Sequence, residues 1–406
     1  MHQKTSQSDR LHIALYGRTN SGKSTLINAL TRQTVSLVSD VPGTTTDPVS
    51  KAMEVPEVGA VVFIDTPGFD DCTVLGEERV KVSLRSLDRV DIALLLLSES
   101  LEATDKEWLL CLREKEIPTL VLLTKADLYS YGKEELAVLT QTLESDPLIV
   151  SAHNPEDIER IYRSIADIVS ARGEKERTIT GNLVESGDVV VLVMPQDSSA
   201  PKGRLILPQV QTIRELLDKG CVVVSCTPQS LQNSLAALAV LPKLIITDSQ
   251  VFKEVYLLLP QGVLLTSFSV LFASYKGDSD LFVVGANFLD SLGDKSRILI
   301  AEACTHAPRN EDIGRVKLPK MLRQKLGEDI QIDICSGADF PDDLSSYDLI
   351  IHCGACMFNR KAVQSRIVRA ISQGIPITNY GMAIAALTGI LPYVAIPYKT
   401  ECNNNE

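Results

Sequence analysis

The sequence predicts an α/β protein of three domains: an N-terminal domain with a phosphate loop and a parallel sheet, then two further α/β domains on largely parallel sheets. Three observations carry that reading. Short, almost unbroken apolar runs end in polar loops, as in strands buried on both faces. Stretches of helical length separate them, as crossovers between parallel strands require. At about 100–200 residues per domain, 406 residues make two to three domains.

In the first third, LHIALYG leads through a glycine-rich turn into a helix at STLINAL. AVVFIDTPG, DIALLLLS and TLVLLTKAD read as further buried strands, with helices at EERVKVSLRSL and KEWLLCLREKE between them. The charged stretch ARGEKERTITG (171–181) reads as a linker and closes a first domain at 8–172. A second domain, 173–268, alternates DVVVLVM, QVQTIRELLDKG, CVVVSCT, a helical SLAALAVL, KLIITD and a helical QVFKEVYLL. The third, 269–406, repeats the idiom with RILIAEAC, KMLRQKLG, IQIDICSG, YDLIIHCGAC, a helix to about Ser372, PITNYG and MAIAALTGIL. Residues 370–398 carry no charge, but Gly374, Pro376, Asn379, Gly381, Pro392 and Pro397 divide them. A membrane span needs about 20 continuous apolar residues, so this stretch predicts a buried strand–helix–strand run. The apolar stretch 255–275, cut by Pro260 and Gly262, predicts buried core or interface.

Lys and Arg number 40 against 52 Asp and Glu, a net charge of −12. That balance opposes binding to nucleic acid or an anionic membrane, which need cationic surface. Aromatics are 5% and Trp108 is the single tryptophan, too few for a stacking platform. Nine scattered cysteines do not form a disulfide framework in a chain of this length. The polar start MHQKTSQSDR lacks the apolar core of a signal peptide. Together these predict a reducing, cytoplasmic setting.

Gly17-Arg-Thr-Asn20-Ser21-Gly22-Lys23-Ser24, followed by Thr25, is a GxxxxGKS phosphate loop between a strand and a helix. Its backbone amides and helix N-terminus meet phosphate charge, Lys23 reaches the β- and γ-phosphates, and Ser24 ligates Mg²⁺. Asp65-Thr-Pro-Gly68 ends the next strand, where a carboxylate can hold Mg²⁺ through water and a glycine amide can sense the γ-phosphate. Thr124-Lys125-Ala-Asp127 ends another strand, and Asp127 can accept two hydrogen bonds from the N1 and N2 edge of guanine, which adenine does not offer. Ser151-Ala152 sits where a contact to guanine O6 belongs. This ordered series predicts GTP over ATP.

These residues resemble the translation-factor-related GTPases, in particular the group of TrmE and Era. Pro42-Gly43-Thr44-Thr45-Thr46-Asp47 looks like that group's first switch, which implies Thr45, with Thr44 close behind, as an Mg²⁺ ligand. GTP would move segments around 40–48 and 66–80. Phe69 stands where Ras-type enzymes place a catalytic glutamine. The resemblance supplies instead K⁺ held partly by Asn20, with an acidic residue after Gly68, Glu77 or Glu78. The hydrolytic set is thus Lys23, Asn20, Thr45 and Gly68, and slow, switch-like turnover is expected. Thr124 replaces the usual Asn of NKxD, which bears on affinity more than on base identity.

Cys304-Thr-His306 follows the strand RILIAEA, and His352-Cys353-Gly-Ala-Cys356 follows DLII. On neighbouring parallel strands both emerge at one carboxyl edge, where α/β folds place ligand sites. Buried structural cysteines, a Cys₃His zinc site and an iron–sulfur cluster all suit such residues. Spacing alone leaves zinc and iron nearly even. The stretch CTHAP…DIGR…LP, then HCGAC, resembles the CxH…HCxxC motif of the FeFe-hydrogenase maturation GTPases (HydF), and the likeness spans the whole chain.

That resemblance implies a homodimer with a dimerisation domain at 173–268 and a cluster domain at 269–406. It implies a 4Fe–4S cluster on Cys304, Cys353 and Cys356, with His352 or His306 as a labile fourth ligand. It further implies a transient diiron precursor received from radical-SAM maturases and passed to apo FeFe-hydrogenase. The alternative is an Era- or TrmE-like RNA or ribosome-assembly GTPase with a structural zinc. Cys335 is a weaker fourth thiolate than a packed side chain, and Cys221 and Cys226 read as packing residues. Arg309, Asp312 and Arg315 suit a docking rim or a solvated loop equally.

Overall fold

The computed structural model describes residues 10–31, 49–69, 83–98, 100–171, 177–196, 205–303, 313–337, 339–355 and 357–399. The chain divides into two compact units, Met1–Lys175 and Glu176–Glu406.

In the first unit six strands form one sheet in the order β2-β3-β1-β4-β5-β6. They are β1 (Leu11–Gly17), β2 (Val49–Val55), β3 (Gly59–Asp65), β4 (Ile92–Leu97), β5 (Thr119–Leu123) and β6 (Leu148–Ile149). Ile13, Ala14, Leu15 and Tyr16 of β1 are wholly buried because β1 lies between two parallel neighbours, β3 and β4, with an apolar cluster on each face. One cluster holds Tyr16, Leu95 and Trp108, and the other Leu15, Leu26 and Phe63. This is why these strands read as continuous apolar runs.

The sheet is not wholly parallel. VSKAMEV forms β2, antiparallel to β3. The turn between them holds Glu57 and Gly59 at φ 63° and 90°, left-handed values a tight reversal uses. The helix expected at EERVKVSLRSL is described only from residue 83, as one turn closed by a 3₁₀ segment at Leu87–Arg89.

The second unit holds two four-stranded sheets, parallel throughout. One runs β10-β9-β7-β8, from β7 (Val189–Val193), β8 (Val222–Cys226), β9 (Leu244–Thr247) and β10 (Leu264–Ser267). The other runs β12-β11-β13-β14, from β11 (Arg297–Glu302), β12 (Gln331–Ser336), β13 (Leu349–His352) and β14 (Ile377–Asn379). A single apolar cluster joins them: Val191 and Phe252 of the first half share it with Leu299, Ile350 and Met382 of the second. β10 ends at Ser267 and the helix Phe268–Lys276 begins at the next residue, capped by the Ser267 hydroxyl, which accepts from Val270 N. Val270, Leu271, Phe272 and Ala273 of that helix are buried.

Two local expectations differ. The helix at SLAALAVL runs only Leu231–Ala236, and Val240 and Leu241 are exposed before Pro242. The run 370–398 is a strand and a helix (Tyr380–Leu387), but its last piece is a 3₁₀ turn at Leu391–Tyr393 and an isolated bridge between Val394 and Leu265. Ala395 N donates to Leu265 O at 2.7 Å, Tyr398 N to Asn182 Oδ1 at 2.7 Å, and Thr178 N to Tyr398 Oη at 3.1 Å. Residues 394–399 thus return to the first turns of the unit. No described helix is long and apolar enough to cross a membrane.

Candidate functional site

The carboxyl ends of β1, β3 and β5 gather the nucleotide residues. After Gly17 the loop turns through Asn20 (φ 62°) and Gly22 (φ 93°) into the helix Lys23–Thr31. Gly17 is needed for close approach, since a Cβ there would lie 2.6 Å from Ser21 Oγ and 2.7 Å from Leu96 O. Lys23 is 8% exposed, and its ammonium donates to Gly17 O and Arg18 O, each at 2.8 Å. It therefore lies along the loop that would wrap a phosphate chain.

Ser24 Oγ donates to Asp65 Oδ2 at 2.9 Å, while Asp65 Oδ1 is buried with no hydrogen-bond partner among the described residues. Burial pushes the Asp65 carboxyl above its ordinary range, and Ser24 and Lys23 pull it back. A hydroxyl and a carboxylate with an orphaned oxygen are hard donors that fit Mg²⁺. Gly68 rests on the phosphate loop, where a Cβ would meet Thr19 Oγ1 at 2.5 Å. Phe69 is buried and stacks on Trp108 at 4.9 Å, which in turn stacks on Tyr16 at 5.3 Å. The position after the switch glycine is thus a core anchor.

Thr124 takes up the brace that its residue type leaves in question. Its buried hydroxyl lies 2.8 Å from Ser21 O and 3.1 Å from Leu97 O, tying the guanine-reading loop to the phosphate loop. Thr124→Val keeps the shape and the amide bond to Leu97 O but takes the donor from Ser21 O. The expected result is a loss of about 1–2 kcal/mol of stability, a few-fold weaker GTP affinity and an unchanged base preference, read by thermal melts and nucleotide titration. Equal affinity for GTP would remove the brace.

Lys125 has φ 60° and Ala126 N donates to Val150 O at 3.2 Å, which turns Asp127 outward. Ser151 Oγ donates to Asp127 Oδ1 at 2.7 Å and holds that exposed carboxyl below its usual range. Asp127, Ser151, His153 and Asp157 line an open cavity of about 390 Å³, large enough for a purine. Ala152 follows Ser151 and packs half-buried against the core of the sheet, and Thr25 is exposed beside Ser24. Thr44, Thr45, Glu77 and Glu78 lie outside the described residues.

Sequence reading missed Arg18. It donates to Ser98 O at 3.1 Å and Ser100 O at 2.7 Å, and pairs with Glu102 and with the fully buried Asp105 at 3.3 Å. Burial pushes the Asp105 carboxyl up. The usable signal was the helix start at Glu102-Ala-Thr-Asp105, where the Asp105 carboxylate accepts from Glu102 N.

In the second unit, β11 and β13 are parallel neighbours, with Ala301 opposite His352. Beyond that register Cys353 Sγ accepts from Ala303 N at 2.9 Å and Ala355 N at 3.4 Å. Amides aimed at sulfur favour thiolate, and the two donors immediately precede Cys304 and Cys356 in the chain. Cys304, Cys356, His306, Arg309 and Asp312 lie outside the described residues. Among the described residues no three His, Cys, Asp or Glu side chains gather as a metal site.

His352 is enclosed. Its Nε2 accepts from Arg366 at 2.9 Å and its Nδ1 donates to Cys353 O at 2.7 Å, since an arginine can only donate. Burial, reinforced by Arg366, holds it down at about 3. Both ring nitrogens are engaged, so this arrangement presents no lone pair to a metal. Cys335, opposite Ala301 on β12, has its thiol pushed up by burial. Arg315 does not stand on an open rim: it pairs with Glu302 at 2.9 Å and with Ser336 Oγ at 3.0 Å. Cys221 is buried with its sulfur 3.3 Å from Glu185 O, and burial raises the Cys226 thiol.

Residues 179–277 match the hydrogen maturase F dimerization domain, and residues 280–396 the hydrogen maturase F tetramerization domain, together more than half of the chain. The chain belongs to the hydrogen maturase F family. Residues 12–125 match a family described as 50S ribosome-binding GTPase, so this hydrogen maturase F chain opens on a GTPase domain and carries dimerization and tetramerization domains behind it. GTPase Der of Mesoplasma florum is 30% identical over 198 residues, 45% of each chain. The tRNA modification GTPase MnmE of Lactococcus lactis is 35% identical over 181 residues, 42% of this chain and 37% of that one. The chain therefore spans less than half the length of these curated relatives. A solved structure of Era from Aquifex aeolicus is 19% identical at a TM-score of 0.35, covering 53% of this chain and 92% of that one.

Proposed function

We propose that this chain is a GTP-hydrolysing scaffold and carrier. It holds a 4Fe–4S cluster on Cys304, Cys353 and Cys356 and carries a diiron precursor from radical-SAM maturases to apo FeFe-hydrogenase. One observation carries the cluster half of the reading: the amides that hold the Cys353 sulfur come from Ala303 and Ala355, the residues just before the other two cysteines. A three-cysteine cluster leaves one iron with an exchangeable ligand, and that iron can accept cargo. The engagement of both His352 nitrogens favours His306 between the two histidines. The Ala303 and Ala355 amides would favour the Cys353 thiolate, and Arg366 and the Cys353 carbonyl hold the His352 ring in place.

In the GTPase half, Lys23 and the loop amides would hold phosphate, and Ser24, Thr45 and Asp65 would supply Mg²⁺ ligands. Asn20, in its left-handed turn at the loop, would hold K⁺ beside the transferring group. Hydrolysis is expected to run at least about tenfold faster in K⁺ than in Na⁺, with Asn20→Ala removing the difference. Equal rates in the two salts would refute the K⁺ role. Dimerisation and a cytoplasmic site complete the proposal.

The deciding experiment is iron and sulfide analysis of anaerobically purified chain, with EPR after reduction. About four irons and four sulfides per chain is the expected result. One zinc and no sulfide, persisting after attempted reconstitution, would leave a GTPase with a structural metal.

A further inference from the structure

The carbonyl of Arg18 is the point on which the phosphate loop closes. Ser21 N donates to it at 3.1 Å and Lys23 Nζ at 2.8 Å. The ammonium expected to meet the β- and γ-phosphates is therefore only as well placed as this peptide. The Arg18 side chain, 15% exposed, fixes the peptide from the other side. Its guanidinium donates to Ser98 O at 3.1 Å and Ser100 O at 2.7 Å, pairs with Glu102, and lies 3.3 Å from the Asp105 carboxylate. Asp105 is wholly buried in the first turn of the helix Ala103–Glu114, where it also accepts from Glu102 N at 3.0 Å. A buried carboxylate is stable only with its partners in place, and the planar guanidinium fork meets several acceptors in one geometry.

The same helix makes a second contact with the site one turn further on. Trp108 stacks on Phe69 at 4.9 Å and on Tyr16 of β1 at 5.3 Å. Phe69 follows Gly68, and Gly68 lies so close to the phosphate loop that a Cβ would stand 2.8 Å from Thr19 N. Asp105 and Trp108 are three positions apart, neighbours on one face of the helix. The contacts therefore close a ring. The loop touches the switch glycine, the residue after that glycine is stacked on Trp108, and the turn before Trp108 holds the loop through Arg18.

We propose that Arg18 is a positioning residue for GTP hydrolysis: its buried pair with Asp105 locks the phosphate loop to the helix Ala103–Glu114 and so fixes Lys23 relative to Gly68. The proposal rests on the reading of this loop as the phosphate site. The loop by itself holds the phosphates that GTP and GDP share. The transferring phosphate also uses the switch glycine, so a loop that drifts relative to Gly68 costs turnover more than it costs product affinity.

The test uses the full chain with Mg²⁺ in four forms: unsubstituted, Arg18→Met, Arg18→Lys, and the double variant Arg18→Met with Asp105→Asn. The readouts are kcat and KM for GTP, GDP affinity by titration, and the melting temperature. Arg18→Met leaves a buried carboxylate without its cation, so it should melt lower, and its kcat should fall about tenfold with KM and GDP affinity little changed. Arg18→Lys keeps the charge without the fork and should recover part of both losses. The double variant removes the stranded charge and keeps an acceptor for Glu102 N. It should melt close to the unsubstituted chain and still turn over slowly. A normal kcat in Arg18→Met overturns the proposal, as does a restored kcat in the double variant, since the pair would then serve stability alone. If Arg18→Met fails to fold by circular dichroism, the double variant decides. An unsubstituted chain that neither binds nor hydrolyses GTP overturns the reading of the loop, and the role of Arg18 falls with it.

Discussion

Cys353→Ala should leave a chain that keeps almost no iron or sulfide after reconstitution, while still hydrolysing GTP. The sulfur does two jobs in the proposed site. It is a ligand, and it is the acceptor on which the amides of Ala303 and Ala355 converge. Its removal deletes one thiolate and frees the two chain segments that lead into Cys304 and Cys356. Cys353→Ser separates these jobs, because a hydroxyl can still accept both amides but is a poor ligand for iron. Serine should therefore preserve the local fold and lose the cluster nearly as completely. A full complement of iron and sulfide in either variant would exclude Cys353 as a ligand.

Asp127→Ala should reduce the preference for GTP over ATP by about a hundredfold, the scale expected when a charged acceptor of two hydrogen bonds is lost. The carboxylate is aimed by its neighbours: Ser151 Oγ holds one oxygen at 2.7 Å, and the left-handed turn at Lys125 sets its direction. Ser151→Ala removes only the aiming bond, so it should weaken GTP binding several-fold without erasing the preference. Competition of GTP and ATP for the nucleotide-free chain measures both effects. An unchanged preference in Asp127→Ala would show that guanine is read elsewhere.

The strands and the phosphate loop were legible because their signals are local. A run such as Ile92–Leu97 has no polar side chain and can only be a strand buried on both faces. Lys23 and Ser24 are set by a spacing that one turn and one helix start impose. The antiparallel β2 was not legible, because the four apolar residues of VSKAMEV form no unbroken run and the strand is stabilised by pairing with β3. Thr124 was legible as a departure from NKxD, but its bond to Ser21 O joins positions 103 apart, a distance no window of sequence spans. The burial of Lys276 was unreadable for the same reason. A lysine at a helix end normally reads as solvated, and only tertiary packing buries this one. The resemblance offers His352 or His306 as the labile ligand, and no local signal shows that the His352 Nε2 accepts from an arginine on the helix Arg360–Ser372.

The return of residues 394–399 to the start of the second unit has a consequence for how the chain is made. Tyr398 is tied to Asn182 across 216 positions, and Leu265 at the edge of the first four-stranded sheet waits for Val394 and Ala395. Contacts of such separation form late, because the loop they close must be ordered first. On the ribosome the GTPase unit can fold as soon as it emerges. The second unit cannot settle its edge until almost all of its chain is out, so a nascent or truncated product displays open parallel strands and an unfinished shared core to chaperones and proteases.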